Sequence, residues 1–331
     1  MWTNPLITDS VSRSVSENTD SRQSMEVRHC NYTEMGYDIR KDSRVRIVAR
    51  AFAVLSVLGL LPKREVSFVF AFSDIEMHDR AVPMVTFQRG KAAKRLIRVP
   101  MHDQLDGSWS RQVEQLVIGH ESAWPFERKR GRTAFWRGTD SSVPALDCDA
   151  FKHRACFVNN ETARYFPRLN LPRLSLTKPR RIDARLSGVK PRSSNIGMDQ
   201  VYRQLGVLER HPRDWTIQEQ LQRRFLIDVD GSSQSTRLYW ALLANSVVLK
   251  QDTTNCNWYS DRLRKHLHFV PLRSDLADLP RQVSRLLLRP SLARSIARRS
   301  TAFARRWLSH EDAMHYLARV LNAIEESQRP L

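Results

Sequence analysis

No apolar run in this 331-residue chain is long enough to cross a bilayer. The best, AFAVLSVLGLL (51–61), is about half the ~20 residues that a spanning helix needs, and Arg50 and Lys63 bracket it. It reads as a buried helix. Cysteine is scarce. Cys30, Cys148, Cys156 and Cys256 form no C-x-x-C pair and have no histidine cluster beside them, which excludes a zinc knuckle and a disulfide framework. Free thiols in a reducing compartment are expected. No G-x-x-x-x-G-K-[ST] loop and no G-x-S-x-G elbow is present, so the common nucleotide-loop and hydrolase signatures are missing. His120, His211 and His268 lack partners at catalytic spacing. Residues 1–45 are polar and lack the apolar stretch of a secretory signal. Acidic residues are in short supply: 35 Asp and Glu stand against 54 Lys and Arg, a net charge of +19. Such an excess suits an anionic partner, whether nucleic acid, an anionic membrane or a phosphorylated substrate. It is spread along the chain, so a generally basic surface is the plainer reading.

What is present is enough to fold. Hydrophobic residues make up 41% and charged residues 27% of the chain, a globular balance. The length suggests two domains at roughly 100–200 residues each. Residues 1–40 are expected to be disordered or loosely packed, being rich in Ser, Thr and Asn. A helix is predicted over 41–60, stopped by Pro62. VSFVFAFSD (66–74) and VPMVTFQRG (82–90) read as buried parallel strands, and TAFWRGT (133–139) as another. The stretch 167–195 holds Pro167, Pro172, Pro179 and Pro191 among basic residues and reads as an irregular surface segment. RRFLIDVDG (223–231), SVVLKQ (246–251) and HLHFVPL (266–272) are predicted strands. Between and after them come helices at 235–245, capped by Ser235, and 274–288, capped by Ser274, then at 291–306 and 310–326. Strands alternating with helices imply parallel α/β sheets.

Two segments carry a family resemblance: AFWRGTDSS (134–142), and FLIDVDGSSQSTRLYWALLANSVVLKQ (225–251) continuing through WYSDRLRKHLHFVPLRSDLADL (258–279). Their order and separation resemble the donor half of glycosyltransferase family 90. That family includes Rumi-type protein O-glucosyltransferases, fungal capsule xylosyltransferases and bacterial lipopolysaccharide enzymes. The similarity is clear over about 130–315, weaker over 45–125 and absent before. It implies an α/β fold of GT-B type, with two Rossmann-like domains whose parallel sheets face a central cleft. The acceptor side would be 41–126, the donor side 127–310, and 311–331 a C-terminal helix packing back on the N-terminal domain. It also implies a nucleotide-sugar donor and inversion at the anomeric carbon, with no cofactor and no metal.

The residue chemistry is consistent with that. A diphosphate needs cations and backbone amides. Arg137 leaves a strand at Gly138–Thr139, and Arg237 opens a helix after the loop Gly231–Thr236, where Ser235 either touches a phosphate or caps the helix. Both arginines match family positions that bind the diphosphate; the alternative is a surface or structural ion-pair residue. Asp228 and Asp230 form a D-x-D, as do Asp147 and Asp149, but a structural Asp that caps or pairs locally is the better reading. Inverting transfer needs one general base. Asp74, at the end of a strand, resembles the family's catalytic Asp, although Ser73 stands where the family has Arg; Asp79 and Asp103 are rivals. Trp124, Phe126, Trp136, Trp240 and Trp258 could stack on a base or sugar but suit a core better.

The expected partners are a nucleotide-sugar donor, a glycan or glycolipid acceptor and an anionic membrane surface, the last through the basic helix at 289–307. The expected location is the cytoplasm and the inner face of its membrane. Protein O-glycosylation is the alternative. A nucleic-acid or other polyanion-binding protein would need a recognisable module, and none is visible.

Overall fold

The computed structural model describes residues 43–141 and 161–328, except 65, 67, 72–83, 88, 91–95, 192–196 and 232–233, together with the strands 9–14 and 24–29. The chain divides into two units. Residues 1–111, 254–260 and 308–331 form the first; 112–253 and 261–307 form the second.

In the first unit, β1 (Asp9–Ser14) and β2 (Ser24–His29) pair antiparallel, with Asp9 opposite His29. Helix α1 (Ser43–Val57) buries Val45, Val48, Phe52 and Leu55, one face at helical spacing. It ends before Pro62 and for a different reason. Gly59 takes φ +66°, and Leu60 N–H and Gly59 N–H donate to the carbonyls of Leu55 and Ser56. This left-handed closure needs glycine. Strands β3 (Val69–Ala71), β4 (Met84–Thr86) and β6 (Leu96–Arg98) make a parallel sheet in that order, with β5 (Arg89–Gly90) outside it. The short helix α2 (His102–Leu105) follows, then α3 (Gly107–Ala123), within which the division between the units falls.

The second unit is built on β7 (Arg130–Thr139), β8 (Ile182–Gly188), β9 (Arg223–Asp228), β10 (Val247–Gln251) and β12 (Val270–Leu272). All pair in parallel, in the order β12-β10-β9-β7-β8. Phe225 to Asp228 are buried without a break, as expected where both faces of a strand are covered. The connecting helices are α4 (Pro167–Thr177), α5 (Met198–Gln204), α6 (Ile217–Leu221) and α7 (Arg237–Leu243). Between β10 and β12 the chain visits the first unit at 254–260, where β11 (Asn255–Cys256) pairs antiparallel with β5. There Trp258 is 5% exposed, donates from its indole nitrogen to Gln104 at 2.8 Å and packs against the tilted ring of Tyr316; it is a core residue.

Helices α8 (Leu279–Leu288) and α9 (Pro290–Trp307) close the second unit. Helix α8 starts five residues after Ser274, with Asp278 in the preceding position. The apolar face of α9 is core: Ile296 and Phe303 are buried, and the hydroxyl of Ser300 donates to the carbonyl of Leu242. Arg294, Arg298, Arg299, Arg305 and Arg306 face outward, together with Ala302 and Trp307. The last helix, α10 (His310–Ser327), opens with a capping box. Ser309 Oγ accepts from Asp312 N–H, and the Asp312 carboxylate accepts from Ser309 N–H, each at 3.0 Å. Its Met314, Leu317, Leu321 and Ile324 share one core with α1 in the first unit.

The expectation of an irregular segment over 167–195 is overturned, since the region forms α4 and β8. Pro167 sits at the start of α4, where the missing N–H costs nothing. Ile182, Ala184 and Leu186 alternate inward between polar neighbours, a period-two pattern that the basic residues disguised. Among the described residues, no helix is long and apolar enough to cross a membrane.

Candidate functional site

The first strand of the second unit, β7, lies inside its sheet, one strand from the edge. The chain turns to one side to form β8 and to the other for β9, β10 and β12. In open α/β sheets, ligands bind outside the carboxyl ends of the strands where the winding reverses. That point is the gap between the ends of β7 and β9, and most of the donor-site residues expected from sequence fall around it: the ends of both strands, Gly231, Ser235 and Arg237.

Arg237 is half-buried at the start of α7. Its guanidinium donates to the carbonyl of Arg137 at the end of β7 and to the side-chain oxygen of Gln220. Both acceptors are neutral. Burial, with the like charge of Arg168 nearby, pushes its pKa down to about 10. Ser235 Oγ accepts from the Arg237 N–H at 3.2 Å, so the hydroxyl serves the first turn of α7.

Arg168, which sequence reasoning missed, comes from α4. It donates to the carbonyls of Asp230 at 3.0 Å and Thr139 at 3.2 Å, spanning the gap between the two strand ends. Burial lowers its pKa while Asp228, Asp230 and Asp140 oppose that shift. A methyl group on Gly231 would lie 3.0 Å from the Arg168 guanidinium and 2.6 Å from Ser141 Oγ, so glycine is what admits this cation to the strand end. The signal that could have found Arg168 is the helix start marked by Pro167.

Arg137 is placed differently. Its side chain is 9% exposed and pairs with Asp183 at 2.7 Å and Glu209 at 2.5 Å. It also donates to the carbonyls of Trp136 and Asp183 and lies over the rings of Phe135 and Trp215, which touch each other. Most of its five donors and its whole charge are therefore met by protein. Gly138 is required by packing: a methyl group there would lie 2.7 Å from the Trp136 indole, which is 1% exposed. Thr139 contributes its carbonyl to Arg168. Asp140, next in the chain, accepts from Lys190 N–H and the Tyr202 hydroxyl.

Asp228 ends β9 and is 1% exposed, yet neither carboxylate oxygen has a hydrogen-bond partner. It neither caps nor pairs, contrary to the local structural role expected of it. Burial pushes its pKa up to about 6; Lys250, Arg237 and Arg168 pull against that, and Asp230 adds to it. Three cations around one carboxylate make poor ligation for a divalent metal, and no cluster of three metal-ligating side chains occurs among the described residues.

Asp74 and Asp79 lie outside the described residues, as do Asp147 and Asp149. Asp103 lies in α2 of the first unit and pairs with His102 at 3.1 Å.

Comparison with known proteins gives a consistent result. O-glucosyltransferase LpsA of Dichelobacter nodosus is 30% identical over 100 residues, 30% of each chain. Human protein O-glucosyltransferase 1 is 23% identical over 287 residues, covering 81% of this chain and 64% of its own. The chain thus spans less than two thirds of the length of these curated relatives. Among solved structures, Anabaena HepE in complex with UDP and glucose aligns with a TM-score of 0.43 at 9% identity, over 86% of this chain and 69% of the other. The sequence profile of Glycosyl transferase family 90 matches residues 99–329. That match covers well over half of the sequence, and the chain belongs to glycosyl transferase family 90.

Proposed function

We propose that the chain is an inverting, metal-independent glycosyltransferase that moves a hexose or pentose from a UDP-sugar to a hydroxyl acceptor. The observation that carries this is the pair Arg168 and Arg237 at the carboxyl ends of β7 and β9, both bonded only to neutral oxygens. Two guanidinium groups with no carboxylate hydrogen-bonded to them, at a topological switch point, suit a diphosphate. They would stabilise the nucleoside diphosphate as it leaves, the service a metal gives in other transferases. Arg137 holds the end of β7 through Asp183 and Glu209, and presents the carbonyl that orients Arg237.

Asp74 is the proposed general base, on the family resemblance. It would take the acceptor hydroxyl proton as the oxygen attacks the anomeric carbon and the sugar–phosphate bond breaks. Glucose is the first sugar to test, since LpsA and the human relative are named O-glucosyltransferases; xylose is the next. The proposed acceptor is a lipopolysaccharide core or capsule glycan, reached at the inner face of an anionic membrane. A protein acceptor is the second reading, favoured by the long alignment to protein O-glucosyltransferase 1.

The test is a panel of UDP-sugars read by thermal unfolding in EDTA, with Asp74→Asn alongside the wild type. At a hundredfold excess over Kd the bound sugar nucleotide should add about 2.7 kcal/mol of stability. Asp74→Asn should keep that gain and lose transfer by ~100-fold or more. Stabilisation that disappears in EDTA and returns with manganese would overturn the metal-independent reading. Full activity of Asp74→Asn would move the base to Asp79 or Asp103.

A further inference from the structure

The least explained group in the second unit is Asp228. An ionised carboxylate loses several kcal/mol of hydration when buried, and normally recovers it through hydrogen bonds. Asp228 has none. It has charges instead, placed on three different elements. Lys250 is its register partner on the adjacent strand β10, so the two side chains share a face of the sheet. Arg168 is fixed by α4 to the carbonyls of Val229 and Asp230, the next two residues along the chain. Arg237, from α7, is fixed to the end of β7, the strand on the other side. Asp230 is the one other carboxylate acting on Asp228, and Asp140 acts on Arg168.

Two of these cations, Arg168 and Arg237, are those proposed to grip the donor's diphosphate. An ionised carboxylate among them has opposite effects before and after the donor arrives. Without the nucleotide it offsets the mutual repulsion of three cations. With the nucleotide it is a like charge beside a dianion, in a buried site where such repulsion is strong. The least costly answer is to neutralise it.

We propose that Asp228 is the built-in counter-charge of the donor site, and that it takes up one proton from solvent when the diphosphate binds. This rests on the reading of Arg168 and Arg237 as the diphosphate grip. The balance is simple: a carboxylate and a solvent proton become a carboxylic acid, and no other bond changes. Asp228 then acts through the cations, as a positioning residue.

The sign of the pH dependence follows. The Asp228 pKa, raised to about 6 by burial, leaves the group ionised at neutral pH without ligand. Below that value it is already protonated, and binding takes up no proton. Above it, each bound nucleotide must bring one in, so affinity falls by up to tenfold per pH unit. Arg237, whose pKa lies at about 10, keeps its charge across this range.

The measurement is calorimetric titration of UDP-glucose at pH 7.5, in two buffers of different ionisation enthalpy, repeated at pH 6.5. UDP-glucose is chosen because its diphosphate carries no titrating oxygen near neutrality, whereas UDP does. The wild type should take up close to one proton at pH 7.5 and bind about tenfold more weakly than at pH 6.5. Asp228→Asn, nearly isosteric and permanently neutral, should take up none, bind equally at both pH values, and exceed the wild type at pH 7.5. Asp230→Asn should keep the uptake. The wild-type proton count needs no variant to fold. Binding with no uptake and a flat profile overturns the proposal while leaving the donor site standing. So does uptake that survives in Asp228→Asn or is lost in Asp230→Asn. No binding of UDP-glucose to the wild type at either pH overturns the donor reading and this proposal with it.

Discussion

Two arginines that look alike in the sequence have different surroundings. Arg137 is enclosed by Asp183, Glu209, Phe135 and Trp215, whereas Arg237 lies over the rings of Trp136 and Trp240 and donates to the carbonyl of Arg137 and the amide of Gln220, with no carboxylate bonded to it. Truncating the first should leave Glu209, 13% exposed, with the Trp215 indole N–H alone and Asp183 with the longer pair to Arg223. Breaking a buried pair in this way costs about 3–5 kcal/mol, and Arg137→Ala should lose that much in urea unfolding. Arg237→Ala should keep the fold but weaken UDP binding by about 1.5–3 kcal/mol, the scale of a charge-assisted hydrogen bond. A stable Arg137→Ala that no longer binds UDP, beside an Arg237→Ala with unchanged affinity, would shift the diphosphate to Arg137. The motifs around both residues were legible in the sequence, but the partners of Arg137 were not. Asp183 and Glu209 lie 46 and 72 residues further along the chain, and no local pattern connects them.

At the scale of elements, strongly periodic segments could be read and disguised ones could not. The strands at 223–228 and 247–251 announce themselves as apolar runs. Helix α4 and strand β8 do not, because prolines and arginines interrupt them, and with α4 went Arg168. Helix α9 shows the opposite limit. Its sequence suggests an amphipathic helix suited to a membrane surface, but Ile296 and Phe303 are spent on the core. Arg294 and Arg305 pair with Glu127 and Glu121. What remains for a membrane is long-range attraction from the other arginines, at about 1 kcal/mol for each one close to an anionic surface. Sedimentation with vesicles should therefore show binding only to anionic lipid. That binding should be lost as salt rises from about 0.01 M to 0.15 M and the Debye length shrinks from ~30 Å to ~8 Å. Equal binding to neutral vesicles would mean that apolar side chains insert, a role open to the exposed Trp307 but not to the buried Ile296 and Phe303. No binding to either would remove the membrane from the proposed function.

At the scale of the molecule, the two α/β units divide the labour of the proposed reaction. The second contains every described residue assigned to the donor, and residue 74, the proposed base, falls in the first. The parallel α/β class could be expected from the alternation of strands and helices, and the GT-B type from the family motifs alone. The sheet order that creates the switch point could not, because it depends on β8, which the sequence concealed. The most direct measurement is the structure of the protein with UDP bound. The diphosphate should lie at the carboxyl ends of β7 and β9, with its oxygens about 2.7–3.2 Å from the guanidinium nitrogens of Arg168 and Arg237. A nucleotide seated on the first unit's sheet, or a diphosphate held by Arg137 with neither Arg168 nor Arg237 in reach, would contradict the donor site proposed here.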